Sequence, residues 1–222
     1  MRQVSSLGFQ EAGRLDLGDY MQFEIVPDRD HPAIQNDGMK YDGVRFRAEC
    51  KLGGKRYGDP FGVDVAFGDP ITGEIDEIVA DDTLAFAGIA PPKLRVYPIE
   101  THIAEKLHAY TMPRARPNSR VRDLPDIALL ATTRALSAEK LRQAVDTTFA
   151  FRATHLVPTT LPSPPAFWTE PYAAMAGADA LPWEQLTELE AAVRSFIDPI
   201  LRGSDGIWDP VSRAWNGEPP AG

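Results

Sequence analysis

The sequence has little of what would place it outside the cell or in a membrane. Cys50 is its only cysteine. One thiol makes neither an internal disulfide nor a thiolate metal cluster, which points to a reducing compartment, the cytoplasm. No apolar run approaches the roughly 20 residues that span a bilayer, and the opening MRQVSSLGFQ lacks the hydrophobic stretch of a signal peptide. Positive charge is in deficit, 23 Lys and Arg against 32 Asp and Glu, for a formal net charge of -9. That balance disfavours long-range attraction to nucleic acid and argues against a sequence-specific DNA reader. It leaves room for a local basic pocket that takes a nucleotide or an RNA end. A Walker-type glycine loop, an H-E-x-x-H pair and a heptad repeat are also missing.

What is present reads as an ordinary globular chain. Hydrophobic residues at 43% and charged residues at 25% supply a core for one domain or two small ones. The 20 prolines, many of them late, predict irregular wrapped segments in the C-terminal third.

The period of the apolar pattern changes along the chain. After an ambiguous start, with the end of a helix in the first fifteen residues, MQFEIV alternates as a strand, and PDRDHPAIQNDG is a polar loop. VRFRAEC, a Gly53-Gly54 turn and FGVDVAF form a hairpin pattern. Val63, Val65 and Phe67 are expected on one face, and Phe61, Asp64 and Ala66 on the other if a bulge or twist intervenes. GDPITGEIDEI leads away through a turn, and KLRVYPI is a strand stopped by Pro98. From there the spacing is helical. THIAEKLHAYTM carries Ile103, Leu107 and Tyr110 on one side and ends at Pro113; LPDIALLATTRAL follows. SAEKLRQAVDTTFAFR has Ser137 as its cap and a stripe of Leu141, Val145 and Phe149. Phe167 and Trp168 are expected to pack onto these helices from a proline-rich segment. PWEQLTELEAAVRSFIDPIL aligns Leu189, Val193, Phe196 and Ile200, and the tail from Gly203 onward is expected to be partly frayed, with Trp208 and Trp215 as its anchors. The reading divides the chain into a sheet-containing region over 1–98, a helical domain over 99–202 and a tail over 203–222.

Two constellations carry candidate chemistry. In AEKLHAY…RARPNSRVRDLPD, Lys106 sits beside the helix packing seam. Arg114, Arg116, Arg120 and Arg122 lie across the loop, and Asp123 and Asp126 lie three apart at a helix start. Lys106 with these arginines makes a phosphate grip that the carboxylates position, or else the same charges form a salt-bridge network that pins two helices. Both readings stand at this level. The second constellation is Asp64, a carboxylate on a strand of apolar neighbours, which calls for a partner or a cation. Asp69 follows in a Gly-Asp-Pro turn. His102 and His108 are six apart, the wrong spacing for one metal on a helix, and His31 and His155 read as surface or hydrogen-bonded residues.

GVDVAFGDP, KLRVYPIETHIAEKLHAYTMPR, RVRDLPDIALL and LRQAVDTTFAFRATHLVP together resemble the nucleotidyltransferase toxins of the AbiEii/AbiGii group, from about Asp19 to Trp168. AEKLHAY followed at this distance by RDLPD is the most specific part. These are toxin components of toxin–antitoxin and abortive-infection phage-defence systems. The resemblance implies an α+β fold, a polymerase-β-like nucleotidyltransferase sheet followed by a helical domain. It also implies transfer of a nucleotide from an NTP with Mg²⁺ to an RNA (some members modify tRNA ends) or a protein acceptor, and a cognate antitoxin as partner. Carried over, Asp64 is the third metal-ligating carboxylate, Lys106 contacts the nucleotide phosphates, and Asp123 and Asp126 are the acidic pair of the helical segment.

The chain departs from that family at the front. Members carry a Gly-Ser or Gly-Gly segment and then an Asp-x-Asp pair on the next strand, which supplies the first two metal ligands. This sequence starts too late to contain it. Asp28 and Asp30 form an Asp-x-Asp string, but between Pro27 and His31-Pro32 it is expected in a loop. The alternative implied is a truncated or catalytically degenerate member that binds a nucleotide or an antitoxin without transfer.

Overall fold

The computed structural model describes residues 6–30, 33–34, 43–66 and 70–217. They fall into two compact units, one of Met1–Asp69 with Ala80–Pro92 and the other of Pro70–Val79 with Lys93–Gly222, so that the backbone passes between the units three times. A mixed α+β region with a sheet is followed by a helical region, and among the described residues no helix is long and apolar enough to cross a membrane.

In the first unit, strict alternation produces the expected pleat. Strand β1 (Met21–Pro27) turns Met21, Phe23 and Ile25 inward and Gln22, Glu24 and Val26 outward. The ten-residue strand β3 (Gly43–Leu52) buries Phe46, Ala48 and Cys50. It pairs antiparallel with β1, Phe23 opposite Cys50 and Ile25 opposite Ala48. It also pairs with β5 (Phe61–Ala66), Phe46 opposite Val63 and Arg45 opposite Asp64. Two short strands extend this sheet, β2 (Ala33–Ile34) and β4 (Lys55–Arg56), both against β3. Gly53 and Gly54, with φ of +56° and +80°, make the two-residue turn between β3 and β4; both central residues of such a turn need the left-handed region. Helix α1 (Ser6–Gly13) lies on the apolar face, its Phe9 ring 5.2 Å from that of Phe46. The helix ends in direct backbone contact with β1, because a side chain at Gly13 would meet the Phe23 carbonyl at 2.7 Å.

One expectation about this sheet is corrected. Phe61 does not share a face with Asp64. It stands opposite Ala48, in step with Val63 and Val65, because β3 and β5 pair one to one from Gly43–Ala66 to Ala48–Phe61 with no extra residue. Phe67, Asp69 and His31 lie outside the described residues.

In the second unit, strands β6 (Asp76–Val79) and β7 (Lys93–Val96) form an antiparallel pair. Pro98 then precedes helix α2 (Ile99–Thr111); proline is tolerated there because the first helical N–H groups have no partner within the helix. Helix α2 packs on α3 (Asp123–Leu130) and on α4 (Ala138–Arg152) through Ile103, Ala104, Leu107, Leu124, Ile127, Leu141 and Val145, all essentially inaccessible to solvent. Helix α3 is shorter than LPDIALLATTRAL suggested. Ala131 to Thr133 curl back onto Ile127, Leu129 and Leu130, and Arg134 leaves to form a two-pronged ion pair with Asp76. Ser137 of β8 (Leu136–Ser137) caps α4 by accepting from the Lys140 N–H at 3.4 Å.

The proline-rich stretch ends in a short 3₁₀ turn, Ala166–Trp168, and then α5 (Thr169–Ala178). Trp168 is buried as expected; Phe167 is 57% exposed, so only one of that pair packs. Helix α6 (Leu186–Leu201) opens with a capping box between Gln185 and Glu188 and buries Leu189, Val193, Phe196 and Ile200 as its spacing dictated. Each such side chain contributes about 1.5–3 kcal/mol by leaving water. The tail forms a hairpin, β9 (Ile207–Asp209) and β10 (Ala214–Asn216), that adds to β8. Trp208 donates to the Ala131 carbonyl at 2.8 Å, and Trp215 donates to that of Phe196 at 2.9 Å while stacking on its ring. Both tryptophans anchor the tail as expected, and over Ile207–Asn216 it is a paired hairpin rather than a frayed end.

Candidate functional site

The helical spacing of Ile103, Leu107 and Tyr110 turns one face of α2 into the core and leaves Lys106 on its margin, with only 19% of its side chain exposed. Its ammonium reaches the first turn of α3. Asp126 Oδ2 accepts from Lys106 Nζ at 2.5 Å, and Asp123 Oδ1 lies 3.9 Å away. A lysine has three donors, so among the described residues this arrangement fixes the ammonium with one and leaves others available. The two carboxylates differ sharply. Asp126 is partly open, whereas Asp123 is buried, and among the described residues its Oδ2 has no hydrogen-bond partner. Burial pushes the Asp123 carboxyl above the usual carboxylate range, and the Asp126 charge adds to this. Arg120, Lys106 and Arg114 oppose the shift.

The loop between α2 and α3 holds the arginines. Arg114 donates through Nη2 to the Ala109 carbonyl at 3.0 Å, and its buried Nε has no hydrogen-bond partner among the described residues. Arg120 is half-buried and close enough to act on Asp123, while Arg116 and Arg122 are exposed, Arg122 immediately before α3. The structure thus brings Lys106, Asp123, Asp126, Arg114 and Arg120 into one neighbourhood.

Asn118 escaped sequence reasoning. Its Nδ2 donates to the Tyr110 carbonyl at 3.1 Å, and its Oδ1 accepts from the Arg120 N–H at 3.0 Å. Its own carbonyl accepts from Trp168 Nε1 at 2.7 Å. This side chain shapes the arginine loop. The available signal was Pro117-Asn118-Ser119, a turn triplet whose asparagine bonds the backbone two residues on.

Two histidines, His108 and His155, serve the packing. His108 is buried edge-on to Phe149 at 5.0 Å and bonded through Nε2 to Thr154 Oγ1 at 2.8 Å. Desolvation brings its pKa down to about 4. His155 bonds Thr111 and Thr154, in keeping with its reading as a hydrogen-bonded residue.

Asp64 belongs to the first unit. On β5 it faces Arg45 of β3, and the guanidinium takes both oxygens, Nε to Oδ1 at 2.6 Å and Nη2 to Oδ2 at 2.8 Å. That hydrogen-bonded pairing holds the carboxyl below its ordinary range. The partner that the sequence required for this carboxylate is therefore an arginine. Among the described residues no three His, Cys, Asp or Glu side chains gather as a metal site. With its oxygens so engaged, Asp64 does not present the donor set of a Mg²⁺ centre.

No curated protein matches the chain. The family model for "Nucleotidyl transferase AbiEii toxin, Type IV TA system" matches residues 12–201, a span that contains Asp64, Lys106, the arginine loop and the Asp123–Asp126 pair. With most of its length inside that match, the chain belongs to the AbiEii nucleotidyltransferase toxin family of type IV toxin–antitoxin systems.

Proposed function

We propose that the protein is a toxin that grips the phosphates of an NTP with Lys106 and passes the nucleotide to an RNA acceptor, a tRNA end among the candidates. The supporting observation is the Lys106 ammonium, fixed by Asp126 at 2.5 Å at the start of α3 with donors to spare. In this reading the acceptor hydroxyl attacks the α-phosphate in line and pyrophosphate leaves. Lys106 stabilises negative charge on the phosphate oxygens, with Arg114, Arg120 and Arg122 adding positive potential. Asp126 orients the ammonium, and buried Asp123 keeps it close to the helix start. The sheet of the first unit is proposed to be the remnant of a polymerase-β-like core. Mg²⁺ enters only as the counterion a triphosphate carries, and no step is assigned to it.

The Arg45–Asp64 pair favours a second reading, a member that binds a nucleotide or an antitoxin protein without transfer, since both oxygens of Asp64 are engaged.

The test is incubation with each α-labelled NTP, Mg²⁺ and total RNA, alongside K106A. Label entering RNA with the wild-type protein and lost in K106A supports transfer. Nucleotide binding by calorimetry that K106A abolishes, with no label transferred to RNA or protein, supports the second reading. Absence of any nucleotide affinity in the folded protein defeats transfer and nucleotide binding alike, leaves Lys106–Asp126 as a staple between helices, and leaves of the second reading only its antitoxin-binding form.

A further inference from the structure

The last carbonyls of a helix have no partner within it, and at the end of α2 side chains of the arginine loop cap them. Arg114 donates to the Ala109 carbonyl at 3.0 Å and Asn118 to that of Tyr110 at 3.1 Å. Asn118 also accepts from the Arg120 N–H at 3.0 Å. The path of the loop is therefore set by where the last turn of α2 stands. A second set of bonds holds that turn. A carbonyl only accepts, so the one hydroxyl hydrogen of Thr111 is directed to the Leu107 carbonyl at 2.9 Å, with that of His108 more distant at 3.4 Å. Thr111 Oγ1 must then accept from His155 Nε2 at 2.8 Å. With its proton on Nε2, a neutral His155 leaves Nδ1 to accept from Thr154 Oγ1 at 2.9 Å, and Thr154 accepts from His108 Nε2 at 2.8 Å. The bonds run in one direction, from His108 to the Leu107 carbonyl. Desolvation lowers the pKa of both histidines, and His155, Arg152 and Arg114 add to the shift at His108, so both rings are neutral near neutral pH.

We propose that His155 is a positioning residue for the Lys106 site: its Nε2–H holds Thr111, and with it the turn of α2 that carries the arginine loop. On the reading of Lys106 as the phosphate grip, that loop supplies surrounding positive charge through Arg114 and Arg120, and this role of His155 rests on that reading. The fold delivers the ring on purpose-built backbone. Ala153 adopts a left-handed φ of +48° at the end of α4, uncommon for a residue other than glycine, and the turn brings Thr154 and His155 onto α2. The His155 ring also lies 4.9 Å from those of Phe149 and His108. Packing and hydrogen bonding make opposite demands on a replacement at this position. A packing role needs a ring and no donor. A positioning role needs a donor to Thr111 and no ring.

The experiment compares wild type, H155F, H155Q and T111V by hydrogen exchange at the Arg120 amide and by calorimetry with each NTP and Mg²⁺. Circular dichroism checks each fold. H155F keeps a ring and loses both bonds, whereas H155Q loses the ring and keeps an amide donor that can reach Thr111 Oγ1. H155F and T111V are expected to speed exchange at Arg120 and to weaken NTP binding by about 2- to 10-fold, the equivalent of one hydrogen bond. H155Q is expected to stay close to wild type. A folded H155F that behaves as wild type overturns the proposal. So does an H155Q as impaired as H155F, which assigns the effect to ring packing. Nitrogen NMR of the histidine rings is expected to show His155 protonated at Nε2 near neutral pH, and a proton on Nδ1 alone overturns the proposal by reversing the bonds. Should H155F fail to fold, T111V leaves both rings in place and decides by itself, unchanged exchange at Arg120 overturning the proposal. Absence of NTP binding by the wild-type protein defeats the Lys106 reading, and the exchange comparison still decides whether His155 holds the loop.

Discussion

Trp168 donates its indole N–H to the backbone carbonyl of Asn118 at 2.7 Å, so a residue from the proline-rich segment fixes the arginine loop ahead of α3. Asn118 passes the constraint on through its bonds to the Tyr110 carbonyl and the Arg120 N–H. N118A removes both side-chain bonds, and a typical hydrogen bond contributes about 0.5–1.5 kcal/mol. The variant is expected to lower the urea midpoint by the equivalent of about 1–2 kcal/mol and to weaken nucleotide binding. W168F, which loses the donor and also vacates buried volume, is expected to lose at least as much stability.

Asp126 and Asp123 are expected to respond differently to amide substitution. D126N takes away the charge that holds Lys106, and a several-fold loss of nucleotide affinity should follow with little change in stability, since Asp126 is partly exposed. Calorimetry with an NTP on the folded variant checks this, and unchanged affinity would assign the pair to helix packing alone.

Asp123 carries a pH signature. Its folded-state pKa lies above the ordinary value. Between those two values the native state binds more protons than the unfolded one, so its contribution to stability declines as pH rises through that window. Below the unfolded value, the protonated carboxyl carries no such penalty. Urea unfolding of wild type and D123N across mildly acid pH reads the effect as the difference between the two curves. A difference that does not change with pH would remove Asp123 from the account.

His108 acts in the opposite direction. Buried and brought down to about 4, it stays neutral in the fold while the unfolded chain takes up its proton near the ordinary histidine value. The stability it supports is fully present above that ordinary value and is lost as pH falls toward 4. The expected loss is on the order of 1–3 kcal/mol. His108→Gln, which retains a partner for Thr154, is expected to flatten the wild-type acid slope in a thermal melt series.

The core of the helical unit offers a paired test. L189A empties a fully buried site and is expected to cost about 2–5 kcal/mol. F167A, at a ring 57% exposed, is expected to stay within about 0.5 kcal/mol of wild type. Denaturant midpoints separate the two, and comparable losses would mean that Phe167 packs after all.

Helices α2, α4 and α6 were legible because their buried residues recur over several turns, so that Leu189, Val193, Phe196 and Ile200 could be read directly as a face. Helix α5 was not. It is rich in alanine and buries only Tyr172 and Ala176, which leaves no stripe to detect. The β9–β10 hairpin is built of three-residue strands, too short for alternation to show. Lys106, Asp123 and Asp126 could be grouped because two neighbouring helices and one short loop carry them. The partner of Asp64 could not, since it depends on the register between β3 and β5, and the bulge assumed from the sequence moved Phe61 to the wrong face.

The chain's threefold passage between its compact units bears on how the protein can be taken apart. A single protease nick, or a chain cut short at one boundary, separates neither unit whole. It strands Pro70–Val79 or Ala80–Pro92 from the body it completes. Dissection requires excising and rejoining segments, and a fragment cut once is expected to be a poor surrogate for the half it came from.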